Sequence, residues 1–324
     1  MSSAEVRGSD SRAAETLAEL ADLMERLGHC GGLDEVLTTS LESLDSLFHF
    51  RYSMFLMLDE TGSSLYTIAT HGYDRAGIGS EVPIGEGIIG AVASQQRSMR
   101  VGNLRHMISY GRAIRESTDP GRCTTEIALP GLPTVASQLA APSMVANRLL
   151  GVLAVESEQL GAFTTLDENL LTVLAHVIAS AIELDRADGP MATTTVSSRA
   201  ATQGVECATR AETTTAATLR HFQADGSTFI DGEYLIKGVA GRILWRLLKD
   251  HNEDGRTEFT NREVRLDRSL DLPSYRDNLE SRLVLLQRRL DERCAPVRIR
   301  KTGRGRFRLE LDAPVFLEVV EQDG

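Results

Sequence analysis

Residues 137–157, SQLAAPSMVANRLLGVLAVES, place two apolar runs on either side of a joint at Ala146-Asn147, so they read as a β-hairpin. Residues 52–72, YSMFLMLDETGSSLYTIATHG, repeat the device, with the turn falling at Asp59 to Ser63. Both hairpins lie between helical patterns. In residues 11–28, SRAAETLAELADLMERLG, the side chains Leu17, Leu20, Leu23, Met24 and Leu27 recur at three- and four-residue spacing and form one apolar stripe. In AFTTLDENLLTVLAHVIASAIEL, residues 162–184, Thr164 or Thr165 can cap a helix whose first turn carries Asp167 and Glu168. Helix, antiparallel strands, helix gives an α+β domain with helices packed on a sheet.

At 324 residues the chain exceeds the usual size of one core, which makes two domains the expectation. Residues 187–225 are nearly all small or hydroxylated and lack either period, so they read as a flexible linker. The division is then a domain at 11–186, a linker at 187–225, a second domain at 226–316 and an acidic tail at 317–324. Charge divides the same way. Residues 1–225 hold 16 arginines, no lysine and 28 acids, whereas residues 226–312 hold 19 basic and 15 acidic residues within a chain of net charge -11. An acidic body joined to a basic segment is expected where one part alone meets a polyanion.

Cys30, Cys123, Cys207 and Cys294 are scattered without C-x-x-C spacing, which implies reduced thiols in a cytoplasmic protein. The polar start MSSAEVRGSDSR is unlike a signal peptide. The longest apolar run, residues 170–184, contains His176 and falls short of the roughly 18 to 20 residues of a membrane span, so no membrane association is expected.

Residues 82–104, VPIGEGIIGAVASQQRSMRVGNL, followed by 137–157 and 162–182, resemble the ordered motifs of a GAF domain over essentially all of residues 15–186. That resemblance implies a six-stranded antiparallel sheet with helices on one face, and a small molecule or prosthetic group bound on the other face under variable loops. It also implies a sensor whose helices pair between subunits, hence a homodimer. GEGIIG at 85–90 satisfies G-x-G-x-x-G as well, but the nearest acid at dinucleotide-site spacing is Glu116 in a polar loop. The glycines read instead as the turn that starts a short helix.

If the family's binding face is kept, its walls come from Met54 or Met57, from His71, and from Ile88 and Ile89. The long segment 102–135 forms the lid, contributing His106, Tyr110, Arg112, Arg115 and Glu126. The two arginines point to an anionic or carboxylate effector. The NKFDE pattern of cyclic-nucleotide GAF domains is absent, and GRCTTEIA around Cys123 lacks the Cys-His pair of bilin sites. His106 and Cys123 are the candidates for haem or iron, although no His, Cys or Glu in this region sits at a short metal-ligand spacing. The effector is an unidentified small molecule.

In the second domain, GVAGRILWRLLKDH, FTNREVRLDRSL and SYRDNLESRLVLLQRRLDER read as three helices, with Leu279, Leu283, Leu286 and Leu290 striping the third. VRIRKTGRGRFRLEL, residues 297–311, alternates and turns at Gly303 to Gly305. Three helices and a hairpin make a winged helix. LVLLQRRLDER with VRIRKTGRGRFRLEL resembles the end of an OmpR/PhoB-type effector domain, whose last helix enters the major groove of double-stranded DNA while its wing touches the minor groove or backbone. The residues expected to meet DNA are Arg276, Asn278 and Arg282 on the helix, with Arg300, Lys301, Arg304 and Arg306 on the wing. Gln287 stands where this type usually carries Arg, and its N-terminal strands are barely visible in STFIDGEYLIKG.

These readings describe a one-component transcriptional regulator in which an effector in the GAF domain modulates DNA binding. A signalling scaffold that uses the winged helix for protein contacts is the alternative. Absence of H-E-x-x-H, G-x-S-x-G and P-loop motifs argues against an enzyme. A 39-residue flexible linker reaches on the order of 35 Å, which favours control through pairing over a rigid lever.

Overall fold

The computed structural model describes residues 3–104, 127–187, 216–270, 272, 279–293 and 295–320. The chain divides into two compact units, residues 1–185 and 186–324.

The first unit opens with α1 (Ser3–Gly28) and α2 (Leu33–Ser46) and continues through β1 (Tyr52–Leu58), β2 (Ser64–His71), β3 (Glu81–Pro83), α3 (Gly87–Gln95) and β4 (Met99–Val101). After the described chain resumes come β5 (Ser137–Val145), β6 (Arg148–Ser157) and α4 (Thr165–Ala187). The six strands form one antiparallel sheet in the order β3-β2-β1-β6-β5-β4. Both expected hairpins are present. Ala146 and Asn147 take φ of 46° and 60°, the left-handed pair that suits a two-residue turn to the twist of its strands.

Period-two alternation gives the sheet two different faces. Met54, Leu56, Val152, Ala154 and Ala140 pack with Ile89, Val92 and Ala93 of α3. Ser53, Phe55 and Met57 turn the other way, toward α2 and α4. Ser143 marks that second face, because its hydroxyl donates to the Ala175 carbonyl of α4 across 2.5 Å. Thr164 caps α4: its Oγ accepts from the Asp167 N–H at 3.3 Å while the Asp167 carboxylate accepts from the Thr164 N–H at 2.6 Å. By composition α4 is apolar enough over Thr165–Leu184 to cross a membrane. Its stripe of Leu170, Leu171, Leu174, Ile178 and Ile182 is buried, however, so it serves as a core helix.

The second unit contains β7 (Ala217–Phe222), β8 (Thr228–Ile230), β9 (Glu233–Ile236), α5 (Gly238–Asp254), β10 (Glu258–Thr260), α6 (Asn261–Leu266), a 3-10 turn at Arg268–Leu270, α7 (Leu279–Glu292), β11 (Val297–Gly303), β12 (Arg306–Leu311) and β13 (Val315–Val320). One sheet runs β13-β7-β8-β9 and a second runs β10-β12-β11.

Two boundaries differ from those expected. Residues 217–222, assigned to the linker, form β7, and residues 317–320, assigned to the acidic tail, belong to β13, which pairs parallel with β7 from Val315↔Ala217 to Val320↔Phe222. Composition hides both strands: β7 alternates in burial but puts His221 inside, and β13 leaves Phe316 62% exposed. Each depends on its neighbour for stability. The strands that were barely visible in STFIDGEYLIKG are therefore β8 and β9, joined by β7 from the expected linker and by β13 from the expected tail.

Candidate functional site

On the α3 face of the first unit the apolar floor gives way to a polar cluster at the end of β6. Glu156 follows Val152 and Ala154 in the same inward phase, and it is 8% exposed. Gln138, directly opposite on β5, donates from Nε2 to Glu156 Oε1 across 3.1 Å. Tyr73, in the connection after β2, donates its hydroxyl to Oε2 across 3.2 Å. The Leu132 backbone N–H supplies a further hydrogen bond. Tyr52, paired with Glu156 from β1, lies 5.6 Å from the Tyr73 ring centroid. Burial pushes the Glu156 carboxyl up to about 7, and the Tyr73 and Leu132 hydrogen bonds pull it back only in part. Burial, together with the neighbouring Glu156 charge, drives the Tyr73 phenol in the same upward direction. A carboxyl group poised to gain or lose a proton near neutrality, at the rim of an apolar surface, can receive a hydrogen-bond donor or a cation.

Sequence reasoning missed Glu156, although a signal was there: one acid occupies the inward phase of VLAVES, where apolar residues are otherwise required.

The expected ligand residues do not all share this face. Ile89 lies in the α3-side core and Ile88 packs against it. Met57 does not: it is 2% exposed on the opposite face, and Met54 holds the position expected of it. His71 is also turned away, its Nε2 lying 2.9 Å from Asp45 Oδ2 of α2. One residue of register decides which face a side chain serves. His106, Tyr110, Arg112, Arg115, Cys123 and Glu126 lie outside the described residues. Among the described residues, no group of three or more His, Cys, Asp or Glu side chains is placed to hold a metal.

GEGIIG builds the start of α3. A Cβ on Gly90 would lie 2.4 Å from the Pro83 carbonyl oxygen, so this glycine is required by close backbone approach and not by phosphate.

In the second unit the hairpin β11-β12 buries Val297, Ile299, Phe307 and Leu309 and turns its cations outward. The outward face is a checkerboard. Arg308 meets Glu258 of β10 at 2.6 Å, Arg298 meets Asp312 at 3.0 Å, and Arg300 approaches Glu310 at 3.8 Å. All six side chains are at least 42% exposed, so water competes with these pairs. Arg304 and Arg306 are exposed at the tip, Arg306 forming no ion pair among the described residues, and Lys301 Nζ reaches Glu280 Oε1 at 2.8 Å.

Arg282, expected on the DNA-facing side of α7, is 9% exposed and turned into the unit. Arg289, outside the leucine stripe of the same helix, is 5% exposed and donates from Nε to the Leu235 carbonyl at 2.8 Å, tying α7 to β9. Long side chains pack their stems along apolar surface, so a helical face that reads as polar can still be interior. Arg276 and Asn278 lie outside the described residues. A cavity of about 110 Å³ beneath α6 is lined by Leu247, Phe259 and Val264 together with the Arg246, Asp250 and Asp267 ion pairs.

No curated protein matches the chain. Similar solved structures include the GAF domain of an Acinetobacter phosphoenolpyruvate-protein phosphotransferase, 20% identical with a TM-score of 0.45 over 55% of this chain and 98% of that one. Another is the GAF domain of the Coxiella burnetii phosphoenolpyruvate-protein phosphotransferase (ptsP), 18% identical with a TM-score of 0.42 over 54% and 96%. Free methionine-R-sulfoxide reductase from Neisseria meningitidis, solved with its substrate, is 19% identical with a TM-score of 0.43 over 54% and 93%. Residues 31–183 match the GAF domain family, and the six-stranded antiparallel sheet with flanking helices already described is the fold of that GAF domain.

Proposed function

We propose that the chain is a cytoplasmic one-component transcriptional regulator: a GAF sensor whose small-molecule effector controls duplex DNA binding by a winged helix at the other end. The observation that carries the DNA half is the exposed tip of the β11-β12 hairpin, where Arg304 and Arg306 project beside Gly303 and Gly305. Cations on a glycine-bearing turn approach phosphates closely, and each phosphate neutralised releases counterions. The order of three helices and a hairpin, preceded by a small sheet, supports the winged-helix reading. On the sensor side, the Glu156 cluster favours an effector with a hydrogen-bond donor or amine at one end and an apolar body against Met54 and Ala154. Arg112 and Arg115 would address an anionic group on the same molecule, with haem or iron as the prosthetic-group alternative. Pairing of two subunits would place two DNA modules on one operator and raise their effective concentration. No turnover and no membrane contact are part of this reading.

The interleaved carboxylates on the hairpin face favour a second reading, a scaffold whose winged helix grips another protein. Fluorescence anisotropy of the full chain with a labelled duplex across a salt series separates the two. The regulator reading expects affinity that falls steeply with salt. Absence of duplex binding at low salt defeats it and leaves the scaffold.

A further inference from the structure

At the base of the hairpin tip, Glu280 in the first turn of α7 is held on both oxygens. Asn261 Nδ2, at the start of α6, donates to Oε2 across 2.8 Å, and Lys301 Nζ of β11 donates to Oε1 across 2.8 Å. The same Asn261 uses its backbone N–H to hold the Gly305 carbonyl at the turn, at 2.9 Å. Gly305 itself has φ of +63°. The Glu280 side chain is 14% exposed, against 42% or more for the six side chains of the Arg298–Asp312, Arg300–Glu310 and Arg308–Glu258 pairs, so it is better sheltered from water than they are.

A sheltered anion competes better than an exposed one, because solvent and salt screen it less. The two donors that hold it, an ammonium group and an amide N–H, also suit a phosphate oxygen. Resting on the DNA-binding reading above, we propose that Glu280 is an internal stand-in for a DNA phosphate, an autoinhibitory carboxylate that occupies Lys301 and Asn261 until a duplex displaces it. Lys301 then adds to the phosphate contacts only in the bound state. Part of the hairpin's positive charge is thus withheld from weak, sequence-independent binding. An acidic protein carrying a dense basic hairpin avoids indiscriminate attachment to nucleic acid in this way.

The test compares the full chain with Glu280→Gln, which keeps the shape and the acceptor oxygen but removes the charge, and with Lys301→Ala and the double variant. The probe is a labelled duplex of arbitrary sequence titrated between low and moderate salt. The expected result is a three- to ten-fold gain in affinity for Glu280→Gln at about 0.1 M salt, with the slope of log affinity against log salt steeper by about one, as for one additional phosphate contact. In the Lys301→Ala background the gain should disappear. Glu280→Asp, which keeps the charge, should show no gain and so separates charge from shape. Thermal melts of each variant report any loss of folding. If the wild type binds and Glu280→Gln matches it in affinity and slope with an unchanged melt, the proposal is wrong while the DNA-binding reading stands. If neither binds, both fall together.

Discussion

Tyr73 donates its hydroxyl to the buried carboxylate of Glu156 across 3.2 Å, joining the connection after β2 to the end of β6. The folded protein holds this carboxyl near 7 against an ordinary value of 4.5, so burial makes the proton an integral part of the folded state. A raised folded value means that the stabilisation is fully present below about pH 4.5 and is lost as pH rises through 7. Its upper bound is about 3 kcal/mol. Glu156→Gln, which mimics the protonated form, should melt higher than the wild type at pH 8 and equally at pH 5. A difference that does not change with pH would refute this account.

His221 shows the opposite sign. It is 4% exposed, stacked 5.1 Å from Trp245, and its Nδ1 lies 3.1 Å from Thr228 Oγ1. Burial lowers its basicity, the Arg242 charge lowers it further and Asp225 opposes both. The unfolded chain therefore takes up the proton first as pH falls below 6.5, and the second unit should lose stability there. His221→Phe keeps the stacking and removes the titration. Chemical denaturation at pH 5.5 and pH 8 should show the pH dependence shrinking in that variant.

The hairpin cations should divide into two classes. Arg304→Ala with Arg306→Ala should weaken duplex binding for all sequences and reduce the salt slope by about two. Arg298→Ala with Arg300→Ala should do much less, because these side chains stand along β11 beside Asp312 and Glu310, back from the exposed turn. Equal losses in the two pairs, measured by anisotropy, would contradict the checkerboard arrangement.

Gly151 lies opposite Met57, and a Cβ there would sit 2.3 Å from the Leu56 carbonyl oxygen and 2.9 Å from Phe55 Cζ. Gly151→Ala must move backbone in the centre of the sheet. We expect a loss of about 1 to 3 kcal/mol in unfolding free energy. Gly232→Ala, in open space with φ of +81°, gives a comparison in which backbone strain acts without a clash.

Hairpins, helices and the division into two units were legible from period and turn chemistry alone, because Ala146-Asn147, Thr164 and the leucine stripes act within a few residues of themselves. The assignment of faces was not. Met57 and Met54 are indistinguishable by composition, and only pairing across the sheet turned one toward α4 and the other toward α3. His71 was drawn to Asp45, a partner 26 residues away that no local pattern announces. In the same way β13 found β7 from the far end of the second unit, and Glu258, Glu280, Glu310 and Asp312 gathered around cations that look unopposed in the sequence. Local backbone preference depends on neighbours along the chain. Which side chains share a surface, and which charges cancel, depends on neighbours in space.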